Sequence, residues 1–90
     1  MKVFVYPCFH PFGYELVSYY LLAGHDVVGK DVLDSDQSWH YYAMVARHAR
    51  FTLVEDSSKE FEPFHEAFCI NEHCDVIADR VSIIEIDEEG

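Results

Sequence analysis

The sequence predicts an α/β fold in which a parallel sheet is built from strands that alternate with helices. Short apolar runs begin at Val3, Val27 and Phe51, and each has the length of one buried strand. Between the first two runs, the apolar residues Phe12, Leu16, Tyr19, Tyr20 and Ala23 recur at three- and four-residue steps, as on a helix. Gly24 follows this pattern and ends the helix, because glycine readily adopts the backbone conformation of a C-terminal cap.

The first five elements follow from these patterns and from the residues that cap them. We predict strand one over residues 2–6, helix one over 11–23, strand two over 26–30, helix two over 37–48 and strand three over 51–55. Pro11 is tolerated in the first turn of helix one, where its missing amide would have no partner. The run Asp34-Ser35-Asp36 offers capping side chains at the start of helix two.

The second half of the chain predicts one further helix and two strands. Ser57 and Glu60 have the spacing of a capping box at the head of helix three, which runs to about Asn71. This helix would bury three phenylalanines on one face: Phe61, Phe64 and Phe68. Strand four is expected from Asp75 or Val76, and residues 81–86 are expected to form an extra C-terminal strand.

Right-handed crossovers at each helix would place the strands in the order 3-2-1-4. The predicted fold is therefore a half Rossmann-like parallel sheet with three helices, in a single domain over residues 1–90 that ends in an acidic tail at about 87–90. A half sheet has two exposed edges. The C-terminal strand would close one edge, and a symmetric homodimer would cover the other.

Composition restricts the class of protein. Half of the residues are hydrophobic (50%) and 16% are aromatic, which is typical of a globular chain. We expect no membrane span, because no apolar run reaches the roughly 18 residues that one requires. We also expect no signal peptide, since Met1-Lys2 leads directly into the first strand. Three scattered cysteines complete a pattern that favours a cytoplasmic protein.

The net charge of −11 is concentrated in the second half of the chain, with −1 over residues 1–54 and −10 over residues 55–90. An acidic half argues against direct nucleic-acid binding, which depends on lysine and arginine at the phosphates. It favours a protein partner with a basic surface, or it serves only solubility. The candidate partner-binding residues are Glu60, Glu62, Glu66, Glu72, Glu85, Asp87, Glu88 and Glu89.

Residues 2–78 resemble the start of the extended short-chain dehydrogenase/reductases, the NAD-dependent sugar-nucleotide epimerases, dehydratases and decarboxylases. That family opens with Lys-Val-Leu-Val-Thr-Gly-x-x-Gly-x-x-Gly and reaches a Gly-His-x-Val-Val-x-x-Asp pattern at its second strand. Residues 24–31, Gly-His-Asp-Val-Val-Gly-Lys-Asp, match the second pattern closely. Residues 50–56 look like the family's third strand, and residues 66–68 and 74–77 look like its third helix and fourth strand.

The resemblance implies a cofactor site that has lost its phosphate loop. Pro7, His10 and Gly13 stand where the family has three glycines, so only the glycine at which helix and strand pack closely is kept. Asp31 aligns with the acid that binds the adenosine ribose and Asp56 with the acid that reads adenine. These residues imply a vestigial NAD or adenine site; alternatively, both acids are inherited scaffold at strand ends. We expect no bound cofactor.

Catalytic chemistry of the family is not expected. The family's Tyr-x-x-x-Lys pair is absent, because no lysine stands four residues after a tyrosine. Cys8 and His10 could instead supply a nucleophile at a helix N-terminus, but we favour the interpretation that they are a buried cysteine and a polar loop histidine.

A metal site has one weak candidate. His65, Cys69 and His73 would share one stripe of helix three, and imidazole and thiolate are ligands that suit Zn²⁺. A packing cysteine with surface histidines is the alternative, and we expect no metal.

The sequence therefore predicts a small acidic protein that is not an enzyme. It would bind a protein partner through acids and exposed aromatics, and inhibit or regulate it by occupying a basic groove that normally holds nucleic acid. Analogy with small acidic proteins of bacteriophages suggests a counter-defence role. Two alternatives are a nucleotide-binding module that uses Gly13, Asp31 and Asp56, and a structural protein that assembles through its sheet edges.

Overall fold

The computed structural model describes residues 1–55, 63–71, 73 and 76–86. These residues form five strands and two helices, in the chain order β1 (Lys2–Tyr6), α1 (Pro11–Leu22), β2 (Asp26–Lys30), α2 (Asp36–Val45), β3 (Phe51–Val54), β4 (Phe64–Ile70) and β5 (Ala78–Ile84). The bounds of β1 and β2 agree with those predicted from their apolar runs.

All five strands lie in one parallel sheet in the order β3-β2-β1-β4-β5. The predicted half Rossmann-like order 3-2-1-4 is confirmed, and β5 extends the sheet beyond β4. β1 lies at the centre, where Val3, Phe4 and Val5 are at most 1% exposed. A strand buried on both faces needs a continuous apolar run, and that run predicted β1.

The prediction of helix three is wrong for the part that the structure describes. Phe64–Ile70 is strand β4, which pairs with β1 on one side and β5 on the other. Phe64 belongs to the apolar cluster on one face of the sheet, and Phe68 packs against the cluster on the opposite face. A short apolar run suits a buried helix as well as a strand buried on both faces, and hydrogen bonding to β1 favours the strand. The predicted capping box at residues 57–60 lies outside the described residues.

Because residues 64–70 form a strand and not a helix, the elements that follow also differ from the prediction. Strand four was expected from residue 75 or 76, but the next strand observed is β5, which begins at Ala78 and ends at Ile84. The prediction of an extra C-terminal strand over 81–86 overlaps the second half of β5. In the described part of the chain the helices are therefore two rather than three.

Capping explains where α1 and α2 begin and where α1 ends. Ser35 caps the start of α2, as the run Asp34-Ser35-Asp36 predicted, and it forms a reciprocal capping box with Ser38 that was not predicted. Gly24 follows α1 with a φ of +88°, a conformation that side chains other than glycine adopt at a cost. No helix in the described ranges is long and apolar enough to cross a membrane.

The core consists of one cluster on each face of the sheet. The cluster on the helical side contains Val3, Val5, Cys8, Phe9, Val17, Leu21, Val27 and Val45. The cluster on the opposite face contains Phe4, Val28, Phe64 and Ala67. The ring centroids of Phe4 and Phe64 are 5.2 Å apart, which joins β1 to β4 on this second face.

The buried face of α1 differs from the predicted stripe. Gly13, Val17 and Leu21 are buried, whereas Phe12 and Tyr19 are 37% and 65% exposed. Gly13 faces the turn after β1, where a side chain would collide with the backbone of that turn. This close approach sets the rotation of α1, and the aromatic residues on the neighbouring stripe face outward.

Candidate functional site

A cleft of about 450 Å³ opens where β1 and β2 end and where α1 and α2 begin. Its lining residues come from the turn after β1 and from the segment that follows β2: Pro7, Phe9, His10, Pro11, Asp31, Asp34, Ser35, Gln37 and Ser38. Ligands of open α/β sheets bind outside the carboxyl ends of the strands, so this cleft is the candidate site of the fold.

Asp31 holds together the two loops that form the cleft. Its Oδ2 accepts a hydrogen bond of 3.0 Å from the backbone amide of Phe9, and its Oδ1 accepts one of 2.7 Å from the amide of Val32. The residue is half-buried and also lines the cleft. The bond to Phe9 fixes the turn after β1 to the end of β2, so the carboxylate already has a structural role.

The start of α1 offers few amides to a phosphate group. His10 is the N-cap, and its Nδ1 accepts a 3.1 Å hydrogen bond from the amide of Phe12. The carbonyl oxygen of His10 accepts a further bond of 2.7 Å from the amide of Tyr14, and Pro11 has no amide hydrogen. Of the first four amide positions of α1, Pro11 therefore has no donor and Phe12 and Tyr14 are already hydrogen-bonded, which leaves few donors for a diphosphate.

Gly13 lies where α1 passes closest to the turn after β1. A Cβ atom at this position would collide with the carbonyl oxygen of Pro7 and would stand 3.2 Å from Cδ1 of Ile70. Gly13 thus permits close packing of helix on strand. Asp56, the third residue of the predicted cofactor site, lies outside the described residues, so the structure brings only Gly13 and Asp31 to this end of the sheet.

Cys8 is fully buried beneath the cleft and is not an activated nucleophile. Its amide donates to the carbonyl oxygen of Lys30 at 3.1 Å, and its side chain packs against Gly29. Burial raises the pKa of the thiol far above its usual value of 9.0, and the negative charge of Asp31 raises it further. His10 uses Nδ1 to cap α1, so the structure favours the buried-cysteine interpretation.

The buried thiol makes stability depend on alkaline pH. Because the pKa of Cys8 is raised in the folded protein, the folded thiol keeps its proton at pH values where the unfolded chain loses it. The contribution of this group to the free energy of unfolding is therefore complete below pH 9.0 and is lost as the pH rises above that value. We expect the free energy of unfolding to fall with a slope from this group that approaches about 1.4 kcal/mol per pH unit between about pH 10 and pH 11. Urea unfolding of the wild type and of Cys8→Ala should show this extra slope only in the wild type; equal slopes would contradict it.

The three candidate metal ligands do not converge. His65 and Cys69 lie four residues apart on β4, and an extended strand separates such residues by about 13 Å rather than one helical turn. Nδ1 of His65 accepts a 3.0 Å hydrogen bond from the amide of Lys2. Cys69 is buried and disulfide-bonded, so it offers no thiolate. Among the described residues, no group of three histidine, cysteine or acidic side chains could hold a metal ion.

Glu66 and Glu85, two of the predicted partner-binding acids, lie within the described ranges. The Glu66 side chain is only 19% exposed, with Arg80 at 3.6 Å from Oε1 and the Tyr20 hydroxyl donating to Oε2 at 3.0 Å. Burial, followed by this hydrogen bond to Glu66, raises the pKa of Tyr20. Glu66 therefore joins α1 to the sheet, whereas Glu85 is exposed. The other candidate acids lie outside the described residues: Glu60, Glu62, Glu72, Asp87, Glu88 and Glu89.

The outer side of α1 and α2 carries several exposed apolar side chains. We call the set Tyr19, Leu22, Trp39 and Met44 the helix surface; their exposed fractions are 65%, 88%, 55% and 60%. Leu22 and Met44 line one groove of about 180 Å³ between the two helices. Sequence reasoning expected exposed aromatics but missed these two residues, because neighbouring Leu21 and Val45 have the same character and are buried.

Comparison of the chain with protein-family models, with curated proteins and with solved structures gives no match. The resemblance to the extended short-chain dehydrogenase/reductases accordingly rests on the sequence patterns alone.

Proposed function

We propose that this chain is a non-catalytic binding protein that inhibits or regulates a protein partner with a basic surface. Its scaffold would be a degenerate relative of the NAD-dependent short-chain dehydrogenase/reductases. The observation that carries the proposal is the helix surface, where four large apolar side chains are more than half exposed. Exposed apolar residues grouped on one side of a domain are typical of a protein-interaction site.

Charge supports a basic partner. The chain has a net charge of −11, and acidic residues such as Glu15 and Asp36 are exposed on the same two helices. Complementary charge accelerates association and excludes partners of like charge, while buried apolar anchors supply most of the binding energy. A basic groove that otherwise holds nucleic acid fits this combination, which is the basis for proposing a nucleic-acid-mimicking inhibitor of the phage counter-defence type.

Serine substitutions on the helix surface test the proposal. We expect Leu22→Ser/Met44→Ser to weaken capture of the partner from a lysate of the native host by about 30-fold, because residues of this kind supply roughly 2 kcal/mol at interface hot spots. Val32→Ser is the matched control, since Val32 is also exposed (46%) but lies outside both helices. Binding should also weaken at high salt. Equal capture by all three proteins would contradict the proposal.

Binding of NAD or an adenine nucleotide is the second candidate, because Asp31 lines a cleft at the carboxyl ends of the strands. Thermal unfolding with NAD, NADH, ATP and ADP-ribose distinguishes the two. A nucleotide at 100 times its dissociation constant would stabilise the fold by about 2.7 kcal/mol, or roughly 10 °C or more in a domain of this size. We expect no shift, since Pro11 has no amide hydrogen and the amides of Phe12 and Tyr14 are already hydrogen-bonded. A shift that Asp31→Asn abolishes would instead establish the nucleotide site.

A further inference from the structure

β5 is the last strand of the sheet on one side. It pairs with β4 in parallel register over residues 78–84, and no other strand in the described part of the chain pairs with it. The outer side of such a strand presents backbone amides and carbonyl oxygens in the spacing of a sheet ladder. An extended segment that adds to this edge would complete those hydrogen bonds.

One face of this edge carries a regular pattern of side chains. Asp79, Val81, Ile83 and Glu85 alternate along the chain and are all exposed; we call them the β5 strip. Val81 and Ile83 are 44% and 46% exposed. In the sheet these two residues pair with Ala67 and Cys69, on the face opposite α1 and α2. Along the β5 strip, two aliphatic side chains thus lie between two acidic ones. The strip is separate from the helix surface.

Charge decides which occupant fits the strip. A second copy added antiparallel about Ser82 would place Val81 against Ile83, but it would also place Asp79 against Glu85 at both ends. Like charges directly opposite each other destabilise strand pairing. The net charge of −11 on each copy adds to this repulsion. A segment with basic residues at both ends and aliphatic residues between them would match every position of the strip.

The end of the strip also has space for a long side chain. A cleft of about 300 Å³ is lined by Asn71, His73, Ile83 and Glu85. Asn71 is held there by its amide, which donates to the carbonyl oxygen of Ile84 at 2.8 Å. A lysine or arginine opposite Glu85 could extend its aliphatic stem along Ile83 and bring its charge to the carboxylate.

We propose that the β5 edge binds an extended segment of a protein partner by strand addition. The segment carries a basic residue, two aliphatic residues and a second basic residue at alternating positions, so that they lie opposite Asp79, Val81, Ile83 and Glu85. This inference rests on the proposed function and specifies the recognised part of the partner. Backbone hydrogen bonds supply affinity and the alternating side chains supply specificity. The pattern is the same in both directions, so it suits either strand orientation.

A designed peptide tests the proposal directly. The probe is Thr-Lys-Thr-Val-Thr-Ile-Thr-Lys-Thr, and the matched control has glutamate in place of both lysines. We expect the wild type to bind the lysine peptide about tenfold more tightly, because two cross-strand charge pairs change from attraction to repulsion. Asp79→Lys/Glu85→Lys should reverse this preference. Both positions are exposed, and circular dichroism checks that the variant keeps its fold.

Backbone pairing is tested separately from charge. Binding of the lysine peptide should slow amide hydrogen exchange in residues 78–84, and N-methylation of one alternating set of peptide amides should abolish binding while methylation of the other set does not. Absence of binding, or binding that tolerates both methylated sets, would overturn the proposal. So would a concentration-dependent dimer of the peptide-free protein that the single variant Glu85→Lys stabilises, since opposite charges would then face each other at both ends and the edge would hold a second copy.

The outcomes for the edge and for the helix surface are independent. If the wild type captures a host protein through Leu22 and Met44 but does not bind the lysine peptide, the strand-addition proposal fails and the proposed function stands. If the peptide binds as expected and the serine variants leave capture unchanged, the edge is supported and the helix surface is not.

Discussion

Replacing Phe4 with alanine should lower the free energy of unfolding by about 3–5 kcal/mol, the usual cost of removing a buried phenylalanine ring. Phe4 lies in the central strand, is 1% exposed and contacts Phe64 with ring centroids 5.2 Å apart. A domain of this size is stable by only about 5–15 kcal/mol, so the variant should be close to unfolding at room temperature. Urea unfolding followed by circular dichroism measures the change.

Phe12→Ala is the matched control, because Phe12 is 37% exposed and belongs to neither core cluster. We expect it to cost less than about 1 kcal/mol. A cycle with Phe64→Ala should show that Phe4 and Phe64 are coupled, by about 0.5–1.5 kcal/mol, since the rings touch. Similar losses for Phe4→Ala and Phe12→Ala, or strict additivity of the two core variants, would contradict the packing of the second face.

Gly13→Ala should destabilise the protein by about 1–3 kcal/mol, although alanine in a helix normally stabilises relative to glycine by roughly 0.5–1 kcal/mol. The sign is reversed because the new Cβ would collide with the carbonyl oxygen of Pro7, and a backbone atom cannot rotate away as a side chain can. α1 would have to move off the turn after β1, and Val17 and Leu21 would lose part of their contact with the sheet. Thermal and urea unfolding both report this change.

Ser18→Ala is the control on the same helix. Ser18 lies in the groove between α1 and α2 and not against the sheet, so the substitution should be neutral or slightly stabilising. If Gly13→Ala is as stable as Ser18→Ala, α1 does not pass as close to the turn as the structure indicates, and the role of Gly13 in packing is wrong.

Local signals were sufficient for the first half of the fold. The bounds of β1 and β2 agree with prediction, and α1 ends within a residue of its predicted end because Gly24 terminates it. Each of these elements has its cause within a few neighbouring residues: a continuous apolar run, a capping side chain or a glycine with positive φ. The hand of the crossovers predicted the order 3-2-1-4, and the structure has this order with residues 64–70, which were predicted as helix, as its fourth strand.

The candidate site was less predictable because its roles depend on distant partners. The sequence indicated that Asp31 ends a strand, but only the structure shows that its carboxylate accepts a hydrogen bond from the backbone amide of Phe9 across the cleft. We predicted Glu66 as one of the partner-binding acids, yet its carboxylate accepts a hydrogen bond from Tyr20 and forms an ion pair with Arg80. No pattern along the chain records a contact between residues that are 46 positions apart, as Tyr20 and Glu66 are.

Patterns along the chain were enough to predict an α/β fold with a parallel sheet, a proline-containing turn after the first strand and a strongly acidic second half. The tertiary structure decided the rest: that residues 64–70 form a strand, which side of α1 faces the sheet, and which acids remain exposed. The physical reason is that a short apolar run suits both a buried helix and a strand buried on both faces. The neighbouring β1 favours the strand, because β4 supplies hydrogen-bond partners to buried backbone groups of β1.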